Sequence, residues 1–239
     1  MLNDQKTPHH EFLNPLCTPS TLDNFLVRRS ILEALQRRLA NLKGIVLDIG
    51  CGYMPYKPLV LAPPSRATQY LGLDIKGEIY SVKPDLFWDG TRMPLQNNSV
   101  DCAIATEVFE HCQDPGIVMR ESLRVLKPGG LLFFTVPFLW PLHDVPHDHY
   151  RYTPFSLKRH LLDAGFTNIS LEALGGWDKS LAQMIGLWVR RRPISSGKRA
   201  ILSILALPIV RWLSRNPEPA EAFGESSMIT GMAGTAIKP

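Results

Sequence analysis

Two hydrophobic periods alternate along the chain. Residues 45–49, Ile45-Val46-Leu47-Asp48-Ile49, form a near-continuous apolar run that opens after Lys43-Gly44 and closes on Gly50-Cys51-Gly52. Such a run, bounded by glycines, has the signature of a buried parallel strand. Runs of the same kind recur at residues 69–75, 85–90, 101–106, 131–136 and 166–174, and the last comes at residues 228–238. Between them the period changes to that of helices. Leu22, Phe25, Leu26, Ile31, Leu32, Leu35 and Leu39 predict a helix over residues 21–42. Another is predicted over residues 115–126, stopped by Lys127-Pro128-Gly129-Gly130, and a third runs from a cap at Thr153 or Ser156 to Ala164-Gly165. The prolines of Tyr53-Met54-Pro55-Tyr56-Lys57-Pro58 allow only a short or displaced helix after the first strand. Residues 1–20, with Pro8, Pro15 and Pro19, read as an arm. Strands alternating with helices imply a parallel sheet covered by helices.

The size fits this picture: 239 residues suit one domain with a full core. A net charge of +4 is too mild to argue for nucleic acid. The paired basic residues Arg28-Arg29 and Arg37-Arg38, and the triplet Arg190-Arg191-Arg192, are expected on solvated helix faces. The start of the chain is polar, so no signal peptide is expected there. Cys17, Cys51, Cys102 and Cys112 form no C-x-x-C pair and fit reduced thiols, hence a cytoplasmic setting.

The chemistry concentrates at strand ends. Gly50 and Gly52 let the chain turn sharply where ligands bind in a doubly wound sheet. A P-loop is excluded, because no Lys-Ser or Lys-Thr follows the glycines. A dinucleotide fingerprint would need glycine where Pro55 stands. Asp48, two residues before the first glycine, is expected to face the pocket and fix a cationic or amino-bearing ligand. Asp74 closes the second strand 22 residues after Gly52, a place from which a carboxylate can take both ribose hydroxyls.

Asp48-Ile49-Gly50-Cys51-Gly52 resembles motif I, D-x-G-x-G, of the class I S-adenosylmethionine-dependent methyltransferases, with Met54 where the third glycine usually stands. The segment from Asp89-Gly90 through Met93-Pro94-Leu95 to Ser99-Val100-Asp101 resembles the family's D-x-x-x-L-P-x-x-x-x-S-x-D, and Leu126-Lys127-Pro128-Gly129-Gly130 its L-K-P-G-G. The resemblance covers residues 40–175. It implies a Rossmann-like α/β fold, with a seven-stranded, mostly parallel sheet, the last strand antiparallel beside the sixth, and helices on both faces. It also implies S-adenosyl-L-methionine as cofactor. Cofactor contacts are then expected from Asp48, Gly50, Cys51 and Gly52 at the turn, Asp74 and Ile75 at ribose, Asp89 and Gly90 at the adenine amine, and Thr106 and Glu107 at the methionine part. In the Val108-Phe109-Glu110-His111 segment, Glu110 and His111 are expected to serve the next helix. The leading helix is expected over the cofactor, with Arg28 or Arg29 within reach of its carboxylate.

Residues 143–153 carry three histidines, two acids and two tyrosines, the densest polar group in the chain. The pattern H-x-x-P-H-D-x-Y-R-Y-T resembles a bacterial methyltransferase subgroup of polysaccharide and cell-envelope pathways, which implies O-methylation of a sugar, glycan or related metabolite. Three readings stand side by side. His147, His143 or His149 is the base, His147 foremost, with Tyr150 and Arg151 positioning the acceptor. Alternatively the His and Asp residues bind a divalent metal, although no metal is expected. Finally, Asp-His and Asp-Arg pairs simply pin the loop. An N- or C-methyltransferase and a non-catalytic cofactor-binding scaffold are the alternatives.

Three divisions are expected: an arm and leading helix (1–42), the cofactor-binding core (43–175), and a lid or membrane-facing insertion with the final strand (176–239). In the last, apolar helices are predicted over residues 180–189 and 201–210, the second interrupted by Pro208. The apolar run over residues 201–210 is too short to span a bilayer, but its basic flanks, Lys198-Arg199 and Arg211, suit peripheral contact through residues 181–213 at the inner face of a membrane.

Overall fold

The computed structural model describes residues 8–75, 82–215 and 223–239. Strand β1 (Lys43–Ile49) lies near the middle of a seven-stranded sheet. With β2 (Arg66–Ile75), β3 (Leu86–Trp88), β4 (Val100–Thr106), β5 (Leu126–Pro137), β6 (Thr167–Leu174) and β7 (Gly231–Ile237), the order is β3-β2-β1-β4-β5-β7-β6. The first five strands pair in parallel, and β7 inserts antiparallel between β5 and β6. This is the Rossmann-like sheet expected above. The order reverses between β1 and β4, where an open α/β sheet leaves its ligand crevice.

Strand period dictates how the core divides. Leu47 and Ile49 of β1, Ala103 and Ala105 of β4, and Leu132 and Phe134 of β5 bury one face of the sheet. It is covered by α4 (Pro115–Val125) and α5 (Pro154–Asp163) through Val118, Met119, Leu157 and Leu161. The alternate residues Val46, Cys102, Ile104 and Phe133 bury the other face, against Ile31, Leu32 and Leu35 of α2 (Phe25–Gln36). Thr153 caps α5 by a reciprocal box: its hydroxyl accepts from the Ser156 amide, and the Ser156 hydroxyl accepts from the Thr153 amide.

Several boundaries differ from the periodicity. The leading helix ends at Gln36 and a separate 3-10 turn covers Leu39–Asn41. The arm contains a short helix α1 (Pro8–Leu13), held by an Arg28–Glu11 ion pair and by Phe12 edge-on to Tyr56 at 6.1 Å. Helix α3 (Lys57–Val60) is a single turn, as the prolines require.

Helices α6 (Trp177–Arg190) and α7 (Ser196–Arg215) join β6 to β7. Pro208 does not interrupt α7. It sits on the exposed side of the helix, as does Ile204, whose carbonyl loses its usual amide partner to the proline. Buried Ala182, Val189, Ala206, Val210 and Leu213 pack with Leu22, Phe25 and Leu26 of the leading segment. The approach is close: a Cβ on Gly186 would stand 2.1 Å from the Leu22 carbonyl oxygen. The two helices thus form an appended lobe beside α2, and among the described residues none of theirs lines the main cleft.

Candidate active site

The cleft opens where β1, β2 and β4 end. It measures about 450 Å³ and is lined by Ile49, Gly50, Asp74, Ile75, Trp88, Glu107, Val108, His111, Cys112, Asp144, Val145 and His147. That is within the roughly 300–1,000 Å³ of small-molecule sites.

The Gly50 turn needs glycine for two reasons. Its φ is +65°, and a Cβ there would stand 2.7 Å from Val108 Cγ2. The amides of Gly50 and Cys51 both donate to the Leu73 carbonyl, at 2.8 and 3.1 Å. The Gly52 amide donates to Asp74 Oδ2 and the Ile75 amide to Asp74 Oδ1, each at 2.8 Å. Each Asp74 oxygen therefore holds one amide and keeps a lone pair toward the cleft. Ile75, 51% exposed, and the edge of Trp88 offer apolar surface beside it.

Asp48 does not face the cleft. The period of two along β1 turns it to the α2 side, where its carboxylate accepts from the Tyr70 hydroxyl and its Oδ1 has no partner. Burial pushes its pKa up to about 7, against the Tyr70 bond and with a further push from Asp74. The consequence for stability has a definite sign. The folded value lies above the unfolded one, so the native state holds the extra proton between about pH 4 and 7, and stability is lost as pH rises through that window. Asp48→Asn, which keeps an acceptor for Tyr70, should gain on the wild type by on the order of 1 kcal/mol per pH unit across it. Urea unfolding at pH 5, 6 and 7 checks this, and parallel curves for the two proteins would refute it.

Cys51 is buried beneath the turn, and Thr106 is half-buried in register with Thr135; neither lines the cleft. Asp89 and Gly90 also lie outside its lining. Asp89 is folded into its own turn, Oδ1 accepting from the Thr91 amide and hydroxyl and the Arg92 amide. Those bonds, the Thr91 hydroxyl first, hold its carboxyl at about 2. Trp88, one residue earlier, is the side chain that β3 presents instead. Arg28 and Arg29 pair with Glu11 and Glu33, and neither lines the cleft.

Glu107 does line the cleft. Its φ of +55° is a left-handed conformation costing about 1–2 kcal/mol outside glycine, and Asp144, across the cleft, is in the same region at +48°. Burial raises the Glu107 carboxyl to about 7, against the pull of Thr135 and Arg151.

The segment after β4 is not the start of a helix. Phe109–His111 form a 3-10 turn, and α4 begins at Pro115 under an Asp114 cap. The loop after β5 is stitched to this turn. The His149 and Tyr150 amides donate to the Glu110 carbonyl, at 2.8 and 3.3 Å, and the Tyr152 hydroxyl to the Phe109 carbonyl at 2.9 Å. His111 Nδ1 meets the His147 carbonyl at 3.0 Å. Burial holds the His111 imidazole below its ordinary value. Glu110 is completely buried, and burial and then Glu107 push its carboxyl well up.

The loop residues divide by role. Arg151 clasps Asp148 with two nitrogens, at 2.6 and 2.8 Å, and donates to the carbonyls of Tyr150, Trp140 and Pro141. Burial pushes Asp148 up, but Arg151 and the His143 amide outweigh it and hold the carboxyl at about 2. His143 Nδ1 meets Asp148 Oδ2 at 3.2 Å. Arg151 therefore pins the loop. His147 lines the cleft, while His149 stands outside it beside Tyr150. His111 and Cys112 line it too, although sequence reasoning assigned Glu110 and His111 to the helix. The Val108-Phe109-Glu110-His111 motif was the signal that could have found them.

A family model described as a methyltransferase domain matches residues 25–171. An uncharacterized 37.1 kDa protein in a transposon of Streptomyces fradiae is 25% identical over 233 residues, or 84% of this chain and 64% of its own length. An uncharacterized methyltransferase of Mycobacterium sp. strain KMS is 34% identical over 118 residues, or 44% of this chain and 46% of its own. The chain thus spans less than two thirds of the length of these curated relatives. Among solved structures, Haemonchus contortus phosphoethanolamine N-methyltransferase 2 in complex with S-adenosyl-L-methionine superposes with a TM-score of 0.56 at 13% identity, over 100% of this chain and 61% of that one. At that identity the likeness is one of fold.

Proposed function

The chain belongs to the methyltransferase-domain family whose model spans its residues 25–171, and from that premise we propose that it methylates a hydroxyl on a sugar, glycan or related small metabolite. S-adenosylmethionine supplies an electrophilic methyl group in such a reaction. The cleft fits the cofactor on its own geometry. Asp74 keeps acceptor capacity for two hydroxyls, Ile75 and Trp88 offer apolar walls to a flat base, and Glu107 faces the space with a carboxylate suited to a cation. Gly50 leaves room that a side chain would fill.

The observation that carries the acceptor reading is the arrival of His147 in the same cleft as Asp74 and Glu107. A hydroxyl is a poor nucleophile until its proton leaves, and an imidazole is the side chain best matched to take it near neutral pH. The turn at Phe109–His111 and the Asp148–Arg151 clasp hold the loop in place, so the ring is presented by a fixed backbone. The H-x-x-P-H-D-x-Y-R-Y-T pattern supports a glycan of the cell envelope as acceptor. The test is transfer from methyl-deuterated S-adenosylmethionine to a panel of free and lipid-linked glycans, amines and carbon acids, read by mass spectrometry. Label on a glycan oxygen is the expected outcome. Label confined to nitrogen or carbon would replace this reading, and bound cofactor without turnover on any acceptor would favour a scaffold.

The lobe of α6 and α7 bears on how such an acceptor is reached. Trp177, Leu181, Met184 and Trp188 form one exposed apolar stripe, and Ile201, Ile204, Leu205, Ile209 and Trp212 another, each residue 47–67% exposed. Exposed Lys198 and Arg215 lie on the same helix as the second stripe. Among the described residues, no helix is long and apolar enough to cross a membrane. Two exposed apolar stripes, with basic residues at the ends of α7, suit helices lying on an anionic membrane surface, peripheral at its inner face, rather than a lid. The protein should co-sediment several-fold better with vesicles containing phosphatidylglycerol than with pure phosphatidylcholine, and Ile204→Glu/Trp212→Glu should abolish the difference. Equal, negligible sedimentation with both vesicles would dismiss the membrane role.

A further inference from the structure

Three side chains able to ligate a metal converge beside the cleft. One atom each from Glu110, His111 and His143 lies within 4.8 Å of the other two. His111 Nδ1 faces the His147 carbonyl at 3.0 Å, a group that only accepts, so this nitrogen carries the proton, and Nε2 makes no hydrogen bond, with Asp144 Oδ2 3.9 Å away. His143 Nδ1 faces Asp148 Oδ2 at 3.2 Å, a group that accepts, so Nδ1 is the donor of this ring and Nε2 its remaining ligand atom. Glu110 is 0% exposed, and neither of its carboxylate oxygens has a hydrogen-bond partner. His111 Nε2 stands 3.7 Å from Glu110 Oε1, too far for a hydrogen bond. It is close to the roughly 3.3–3.6 Å between ligand atoms that each stand about 2.0–2.2 Å from a tetrahedral ion. A buried carboxylate without partners is costly, and a cation is the partner that also satisfies two imidazole lone pairs.

We propose that Glu110, His111 and His143 form a divalent-cation site that opens onto the cleft. Two imidazoles and one carboxylate select a first-row transition ion such as Zn²⁺ or Mn²⁺ over Ca²⁺. The supporting shell is already built. Asp148 orients His143 and is itself clasped by Arg151, and the His147 carbonyl orients His111, the carboxylate–histidine and carbonyl–histidine arrangement that fixes metal ligands. This gives the Asp148–Arg151 pair a purpose beyond pinning the loop. It also relocates the metal reading of the loop: of the loop's own His and Asp residues only His143 is a ligand, and the other two ligands come from the turn after β4. Three protein ligands leave at least one position open. Since His111 lines the cleft, an oxygen of the acceptor can take that position next to His147. This last step rests on the hydroxyl-acceptor reading; the binding of the ion does not.

The test uses the whole chain, stripped with a chelator and dialysed, titrated with Co²⁺ as a visible-absorption probe and then with competing Zn²⁺. One ion per chain is expected, with the absorption of a nitrogen-ligated, four- or five-coordinate Co²⁺. Glu110→Gln and His143→Ala should each weaken binding more than tenfold, and His160→Ala, on α5, should not. His143 is partly exposed, so its variant keeps the test sound if the buried Glu110 variant does not fold. Absence of Co²⁺ and Zn²⁺ binding to the folded wild type, or full affinity in folded His143→Ala, would overturn the site. Binding of S-adenosylhomocysteine, measured on the same stripped protein, separates the two readings. Its loss with the ion still bound counts against the methyltransferase reading and leaves the site standing.

Discussion

His147→Ala should lower kcat on a hydroxyl acceptor by about 10²–10⁴-fold, the range that a general base contributes. The affinity for S-adenosylhomocysteine should stay within threefold of wild type. The split between the two readouts follows from geometry. Among the described residues, the His147 ring meets no hydrogen-bonding side chain; its neighbour is the His149 ring, 6.3 Å between centroids. What holds the loop is its backbone, with the His147 amide donating to the Asp144 carbonyl at 2.9 Å and the His147 carbonyl facing His111. Truncating the ring therefore removes a proton acceptor from the cleft without loosening the loop. His143→Ala is different in kind, because it severs the contact to Asp148. Single-turnover rates with saturating cofactor, alongside calorimetric binding, check the prediction. A kcat within threefold of wild type would remove His147 as the base.

Asp74→Ala should weaken S-adenosylhomocysteine binding by about 100-fold. Each hydrogen bond from a hydroxyl to a carboxylate contributes roughly 1.5–3 kcal/mol, so losing two is worth about 3 kcal/mol at the least, or two decades in Kd. A second loss adds to it: the Gly52 amide, held at 2.8 Å by Oδ2, is released, and only the Gly50 and Cys51 amides still tie the turn to β2, through the Leu73 carbonyl. Asp74→Asn, which retains one oxygen for that amide, should fall between the two. Calorimetry on all three proteins, with thermal unfolding to establish that each is folded, decides it. Unchanged affinity in a folded Asp74→Ala protein would mean that the ribose site lies elsewhere and that the assignment of the cleft is mistaken.

Much of the fold was legible because it is local or periodic. The apolar run before Gly50, the breaker at Lys127-Pro128-Gly129-Gly130 and the cap at Thr153 each act within a few residues of chain, and they place β1, the end of α4 and the start of α5. Asp74 was legible for a related reason, since an acid at the end of the second strand must reach the mouth of the first. The positions that stand apart from the cleft lining depend on which way a side chain turns. Asp48 is one residue out of phase with the cleft face of β1, and Asp89 spends an oxygen on its own turn, so neither appears in the lining. The exposed stripes of α6 and α7 have the helical period of buried ones, and only packing against Leu22, Phe25 and Leu26 reveals which stripe is covered.

The sequence by itself determined the strand and helix alternation, the turn chemistry at Gly50 and the family to which these motifs belong, because each is set by the spacing of neighbouring residues. Only the tertiary structure decided the rest. The turn after β4 and the loop after β5 are remote in the chain, and hydrogen bonds from the loop to the Glu110 carbonyl bring them together. That contact places Glu110, His111 and His143 around one point and sets His147 in the cleft. No local spacing encodes it, since the meeting depends on β4 and β5 lying side by side in the sheet.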